Sequence, residues 1–520
     1  MFVLITFILL FISIAAMFAL RLARPGASYA WVVTGGTLLA WMSVLLWQFE
    51  LPWRFMPAEW MSAALFNASP QFLANPFSWL YALSIAALAV AVILTSPVRG
   101  SPTWTESWFE ILALTGLGLV VVLADNPLAM VLAWTAIDLA EFLIALRERS
   151  VPGESAWVSF SMRLIAIGCA LLASMVGVSV TGLAFSFETA PPQAGALLLA
   201  AAGLRLGALP LRLAYQPDEP STRRGFGTVL SMVSALTGLL VLARIPSTAV
   251  DLSWSLPVLV LAVVAALYGS WKWLFARDEM KGRPYWLVGM SALSLAACVG
   301  GNPDGSVAWG VTLILFGGIS FLYSVKQAWM TRAFAVLGLL ILALPFTLTA
   351  SGWQSDFPLP FVFWPLFILS HAMLAAGYVR HLLHPAEFEL AQLPNWAQAA
   401  YPVGMGILAL TALLGGLWGW AGALNLGAWP LGLAALLLSA LIVVAFLRLP
   451  QLAFIESLAA SENQPPRFTI FFKLFSRLFS FIYQLIGGLV IYISDLLEGD
   501  GGLLWTLLLL ILLVSFLRGR

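Results

Sequence analysis

The stretch Ala200-Ala-Ala-Gly-Leu-Arg205-Leu-Gly-Ala-Leu-Pro210-Leu-Arg-Leu-Ala-Tyr-Gln-Pro217-Asp218 decides how the rest of the chain is read. It closes an apolar run over about residues 193–213, close to the roughly 20 residues a helix needs to cross a hydrocarbon layer of about 30 Å. A proline sits near its middle, where the missing N–H and the ring interrupt the backbone ladder. A membrane helix tolerates such an interruption beside a cavity or neighbouring helices that re-satisfy the freed groups. Five residues before the proline stands Arg205, a charge that is costly in lipid and points into the protein interior. A charge inside a membrane helix is by default a functional hypothesis, to be weighed against a structural clamp.

The composition outside this stretch agrees. Of 520 residues, 61% are hydrophobic and only 9% charged, with a mean hydropathy of +0.96. A soluble domain is about a quarter charged, so a soluble fold is excluded. Cys169 and Cys298 each lie inside apolar runs and read as small buried hydrophobes. No paired-cysteine, His-rich or phosphate-loop motif occurs, so no cofactor, haem, metal or nucleotide site and no nucleic-acid partner is expected. Met1–Leu20 is too long and too little basic at its start for a signal peptide and reads as the first span.

The expected fold is all-α, a polytopic membrane helix bundle of 15–17 spans. They fall at approximately 1–20, 29–48, 75–95, 104–123, 126–146, 157–182, 193–213, 226–244, 252–275, 284–300, 306–329, 332–352, 359–379, 400–424, 428–448, 468–494 and 502–518. With the N-terminus outside, 21 of the 25 Lys and Arg fall in inner loops and only Arg54 and Arg244 lie outside. Arg163 and Arg205 fall within spans. That asymmetry is the one expected of cytoplasmic loops. The segment 468–494 either crosses or lies along the inner surface.

A second mid-span proline, Pro345, lies in the twelfth span, five spans after Pro210. An odd offset reverses direction, so spans 4–8 and 9–13 are expected to form an inverted repeat with broken helices 7 and 12. The expected divisions are 1–100 (spans 1–3), 101–250 (first repeat), 251–382 (second repeat), 383–450 (spans 14 and 15) and 451–520 (an anchoring segment).

Asp138 and Glu141, three residues apart in the fifth span, share a helix face. Counted from the inner end, Asp138 and Arg205 lie at one depth, and Glu141 and Arg163 at another. Two ion pairs are expected, Asp138 with Arg205 and Glu141 with Arg163. They serve either as structural clamps or as part of a polar path. In the second half only His371, in the thirteenth span, titrates near the midplane, as a relay member or a hydrogen-bonded packing residue.

Several motifs resemble the antiporter-like membrane subunits shared by respiratory complex I and multisubunit cation/proton antiporters. Asn75-Pro-Phe-Ser-Trp-Leu is similar to the stretch opening that family's third helix, with Asn75 in place of Asp. Asp125-Asn-Pro-Leu-Ala-Met-Val-Leu-Ala-Trp134 resembles the run into its fifth helix, and Arg205 to Asp218 its broken seventh. Thr237-Gly-Leu-Leu-Val-Leu-Ala-Arg244 and Ala343-Leu-Pro-Phe-Thr-Leu-Thr-Ala-Ser-Gly-Trp353 resemble parts of its eighth and twelfth. The resemblance covers about residues 70–380.

This chain departs from the pattern at its charges. The family's fifth-helix glutamate falls on Thr135, with Asp138 one turn on along the same face. Its seventh-helix lysine becomes Arg205, an eighth-helix histidine falls near Leu230, and the twelfth-helix lysine near Trp353. Family members are thought to pass protons along lysines and histidines; a guanidinium effectively never gives up its proton. The resemblance therefore implies a degenerate member, with other membrane subunits, the lipid bilayer and protons or monovalent cations as partners, in a bacterial inner membrane. One implied function is ion translocation through spans 5–7, with Ser291, Ser294, Thr347 and Thr349 bridging the second half. The other is a non-conducting scaffold, and a third reading is a transporter that partners a soluble enzyme. The chain is not expected to be catalytic alone.

Overall fold

A computed structural model describes residues 1–24, 30–56, 69–96, 104–148, 154–182, 185–209, 211, 224–354, 360, 362–385, 390–392, 394–417, 420 and 422–448. All belong to one compact unit, Met1–Glu456. A second unit, Ser457–Arg520, lies outside the described residues, as do the expected spans 468–494 and 502–518.

The first fifteen expected spans each correspond to one α-helix. In chain order these are α1 Phe2–Ala23, α2 Ala30–Leu46, α3 Pro76–Thr95, α4 Trp104–Leu123, α5 Pro127–Glu148, α6 Glu154–Thr181, α7 Pro192–Leu206 and α8 Phe226–Arg244. They continue with α9 Leu252–Leu274, α10 Glu279–Val299, α11 Pro303–Leu322, α12 Ala328–Leu337, α13 Phe363–Leu382, α14 Asn395–Leu417 and α15 Trp429–Arg448. A short antiparallel pair, β1 Trp53–Phe55 with β2 Phe72–Ala74, pairs Arg54 with Leu73. Among the described residues ten helices are long and apolar enough to cross a bilayer. The other five are short, as α7 and α12 are, or carry charges and histidines, as α10 and α13 do. The chain is a multi-pass membrane protein built as a helical bundle.

Three helices start in the same way. In Asn75-Pro76, Asn126-Pro127 and Asn302-Pro303 the asparagine caps the helix and the proline fills the first turn, where its missing N–H costs nothing. Asn75 Oδ1 accepts from Ser78 N at 2.9 Å, Asn126 Oδ1 from Ala129 N at 2.9 Å, and Asn302 Oδ1 from Gly305 N at 2.8 Å. Asn75, where the resembled motif has Asp, thus serves as the helix cap.

The core is set by α3, α8 and α11. The apolar window of α11 is 100% buried, against 17% for α15 at the rim. α8 packs on α3, α4, α5, α7, α10 and α11, so any side chain on its surface meets another helix.

Both expected breaks are present, by different means. α7 stops at Leu206 because Gly207 turns left-handed (φ +69°), a conformation a β-carbon disfavours. Ala208 N and Leu209 N then fold back onto Gly203 O. Pro210 itself lies outside the described residues, so the described break precedes the proline. The twelfth span is not the continuous crossing expected over 332–352. α12 ends at Leu337, tightens into a 3₁₀ turn over Gly338–Ile341, and runs irregularly through Pro345 to a second 3₁₀ turn at Ala350–Trp353.

Candidate functional site: a buried charge cluster

α5, α6, α7 and α8 bring four charged side chains together. Arg205, at the end of α7, donates from Nη1 and Nη2 to Asp138 Oδ2 and Oδ1 at 2.8 and 2.7 Å. Its Nε donates to Thr237 Oγ1 on α8 at 2.7 Å. The guanidinium lies 4.3 Å from the centre of the Trp134 ring, one turn before Asp138 on α5. This fork engages both carboxylate oxygens, a geometry that an ammonium could not supply. Arg205 and Asp138 are each 2% exposed, so neither charge has water to fall back on.

Arg163, on α6, is placed between the two carboxylates of α5. Its Nη1 pairs with Glu141 Oε2 and also lies 3.5 Å from Asp138 Oδ1, while its Nη2 donates to Ser234 Oγ of α8 at 2.8 Å. Both expected pairs are therefore formed, and they meet at Asp138 in one cluster of two anions and two cations. Thr237 Oγ1 donates in turn to the backbone O of Ser234 at 2.6 Å, which leaves its lone pairs to accept from Arg205. Such a cluster compensates its own desolvation only to the extent that its hydrogen bonds are made.

One expectation about α5 is corrected. Thr135 does not share the face of Asp138: it is exposed and bonds back to Val131 O at 2.8 Å, while Asp138 is buried. A three-residue step turns a helix by about 300°, and here that step separates the outer surface of the bundle from its interior.

His371, on α13, has a different environment. Its Nε2 pairs with Ile341 O at 2.8 Å, at the end of the 3₁₀ turn that follows α12, and its Nδ1 accepts from Trp353 Nε1 at 3.3 Å. Those partners fix the Nε2–H tautomer. The Trp309 and Trp353 rings lie 4.8 and 5.6 Å from the imidazole. Pro345 stands within the break, which is held by Thr349: its Oγ1 accepts from Ala343 N and donates to Leu340 O, both at 2.8 Å. Of the hydroxyls expected to bridge this half, Ser294 meets Ser306 Oγ at 2.8 Å and Thr347 bonds back to Leu344 O at 2.7 Å. Ser291 Oγ has no partner among the described residues.

Several further buried polar residues stand out only in the structure or were not among the expected site residues. Ser234 and Thr237 carry no charge, and nothing in their spacing marks them as arginine partners. Glu110, buried at 6% exposure on α4, was visible as a carboxylate within the fourth span. At the start of α10, Glu279 is buried and pairs with Arg224 at 2.7 Å and with Lys326 at 3.9 Å. Arg283, expected in a loop, is 2% exposed on α10 and reaches Thr228 Oγ1 at 3.5 Å. Arg244, at the other end of α8, pairs with Asp125 at 2.7 Å.

No protein-family model matches this sequence, and no curated protein matches it. Solved structures do. A chain of the Mrp complex from Dietzia sp. DQ12-45-1b matches with a TM-score of 0.69 and 15% identity over 100% of this chain, which spans 63% of that longer one. A chain of the membrane-bound sulfane sulfur reductase, an archaeal respiratory membrane complex, gives 0.64 and 16% over 98% of this chain and 99% of its own. A chain of respiratory complex I from Thermus thermophilus gives 0.59 and 18%, covering 81% of this chain and 100% of its own. At such identities the likeness is one of fold: this chain shares the helical membrane fold of those three chains.

Proposed function

We propose that the chain is an antiporter-like membrane subunit of a multisubunit complex and contributes to proton or cation translocation through the buried charges of α5, α6 and α7. The observation that carries this reading is the cluster of Asp138, Glu141, Arg163 and Arg205, buried beside the broken helix α7. Charges inside a membrane protein are expensive, and an apolar bundle of this size has no need of four of them for packing. The likeness in fold to chains of three membrane complexes supports the expectation of other membrane subunits as partners. Helix breaks at α7 and α12, the fourth helix of each set of five, support the division into repeats at 101–250 and 251–382. The proposed setting is a bacterial inner membrane with the N-terminus outside.

A second reading, a non-conducting scaffold, is favoured by one specific observation. The second half offers His371 held among tryptophans where a relay would need a mobile proton carrier. The two readings separate when the protein is purified with its co-eluting subunits and reconstituted, and the decay of an imposed pH gradient is followed. Translocation requires decay that is lost in Asp138→Asn; a scaffold gives none in the intact complex. The co-eluting subunits also identify the energy source.

A further inference from the structure

The four charges are not equivalent, and the difference assigns them separate tasks. Asp138 has both oxygens engaged by Arg205, and Arg163 stands 3.5 Å from one of them. Among the described residues Glu141 has a single cationic partner, Arg163, through Oε2. Its Oε1 is buried and makes no hydrogen bond. A buried carboxylate oxygen without a donor is costly unless something else satisfies it, and a proton is the smallest thing that can.

We propose that Glu141 is the proton-loading group of the cluster and that Arg163 is its switch. The assignment rests on the reading that this cluster handles ions, and it goes further by naming the group that takes the proton. A proton adds to Oε1, forming one O–H bond and leaving a neutral carboxyl. The pull of Oε2 on Nη1 of Arg163 then falls, and Nη1 closes on Asp138 Oδ1, which it already faces. The cluster passes from net zero to one positive charge, and loss of the proton reverses both changes. Neither arginine gives up a proton at any point, so the scheme works with guanidinium groups where a lysine relay would not. Ser234 holds the other end of the guanidinium, so Nη1 can swing while Nη2 stays anchored.

The surroundings leave few competitors. The elements packed on α5 are α4, α6 and α8. α4 presents Glu110 among its described side chains, α6 presents Arg163, and the charge of α8 is Arg244 at its far end, paired with Asp125. α7 contributes Arg205.

The test is infrared difference spectroscopy of the intact complex between neutral and acidic pH, which reads protonation of buried carboxyls directly and does not depend on conduction. Wild type is expected to gain a carboxylic C=O band that is absent in Glu141→Gln and kept in Asp138→Asn and Glu110→Gln. Persistence of the band in Glu141→Gln, or its loss in either of the other two, overturns the assignment. Ser234→Ala, which leaves every charge in place, is expected to move the pH midpoint of the band without removing it. An unmoved midpoint overturns the switching part given to Arg163. A band that behaves as expected in a complex that does not dissipate a pH gradient keeps this assignment while defeating the translocation reading.

Discussion

α7 and α12 both break, and they break at the same place in the helix order, but their surroundings differ. Beside α7 lie four charges held by two α8 hydroxyls. Beside α12 lie an imidazole, three indoles (Trp309, Trp353 and Trp364) and a threonine, all neutral or hydrogen-bonded. The α7 break uses a glycine for its left-handed turn, whereas α12 places Ala343 (φ +52°) and Phe346 (φ +59°) in that region. Such positions cost about 1 kcal/mol or more each, and persist when their surroundings over-determine them. Thr349, His371 and the bond from Phe346 N to Asn425 O supply that determination. Among the described residues, the α12 break is held without a charge. The cluster beside α7 is therefore not needed to hold its break, and this favours a functional reading of the charges.

The comparison breaks most easily at Asp138. Asp138→Ala takes from Arg205 the carboxylate it grips and leaves Glu141 as the one carboxylate of the cluster beside two arginines, and removing one partner of a buried pair costs about 3–5 kcal/mol. A large drop in the thermal unfolding temperature of the purified complex is expected, and Asp138→Ala with Arg205→Ala together should recover part of it. Simple addition of the two single losses would show that the pair is not coupled. His371→Ala should cost less, about 1–3 kcal/mol, by orphaning Ile341 O and Trp353 Nε1. Hydrogen exchange should then quicken over Leu340–Ala350 and stay unchanged at α7. Exchange that spreads to α7 would mean the two breaks are not independent.

Smaller still is the cap of α3. Asn75→Ala removes the bond to Ser78 N and should cost about 1 kcal/mol. Asn75→Asp, which restores the residue type of the motif, should be neutral or stabilising by a few tenths, since a carboxylate suits a helix N-terminus. A loss in Asn75→Asp as large as in Asn75→Ala would show that Asn75 does more than cap. At α15, Gly432→Ala would bring a methyl to 2.7 Å from Leu342 O, too close without a shift of α15. A thermal shift confined to the second half is expected.

The order and extent of the fifteen helices could be read from length and hydropathy, because burial in lipid demands long apolar runs. Boundaries failed where a polar residue belongs to the helix: α10 starts at Glu279 under an Asp278 cap rather than at 284, and α14 starts at Asn395 rather than at 400. The ion pairs were legible because depth can be counted from the basic residues that flank spans 5, 6 and 7. Ser234 and Thr237 were not, since a hydroxyl at any helix position is compatible with a backbone bond. The face of Thr135 was misread because the sequence does not say which side of α5 meets α8. The neutral clasp of the α12 break was hidden for a related reason: Thr349 and Ala343 meet only once the chain has left the helix.

The central claim is that ions move through the charged half and not through the aromatic half. Proton flux in the reconstituted complex, compared between Asp138→Asn and His371→Gln at equal incorporation, tests it most directly. The account predicts that flux is lost in the first and retained in the second. Flux retained in Asp138→Asn and lost in His371→Gln would contradict it and place the path beside the α12 break.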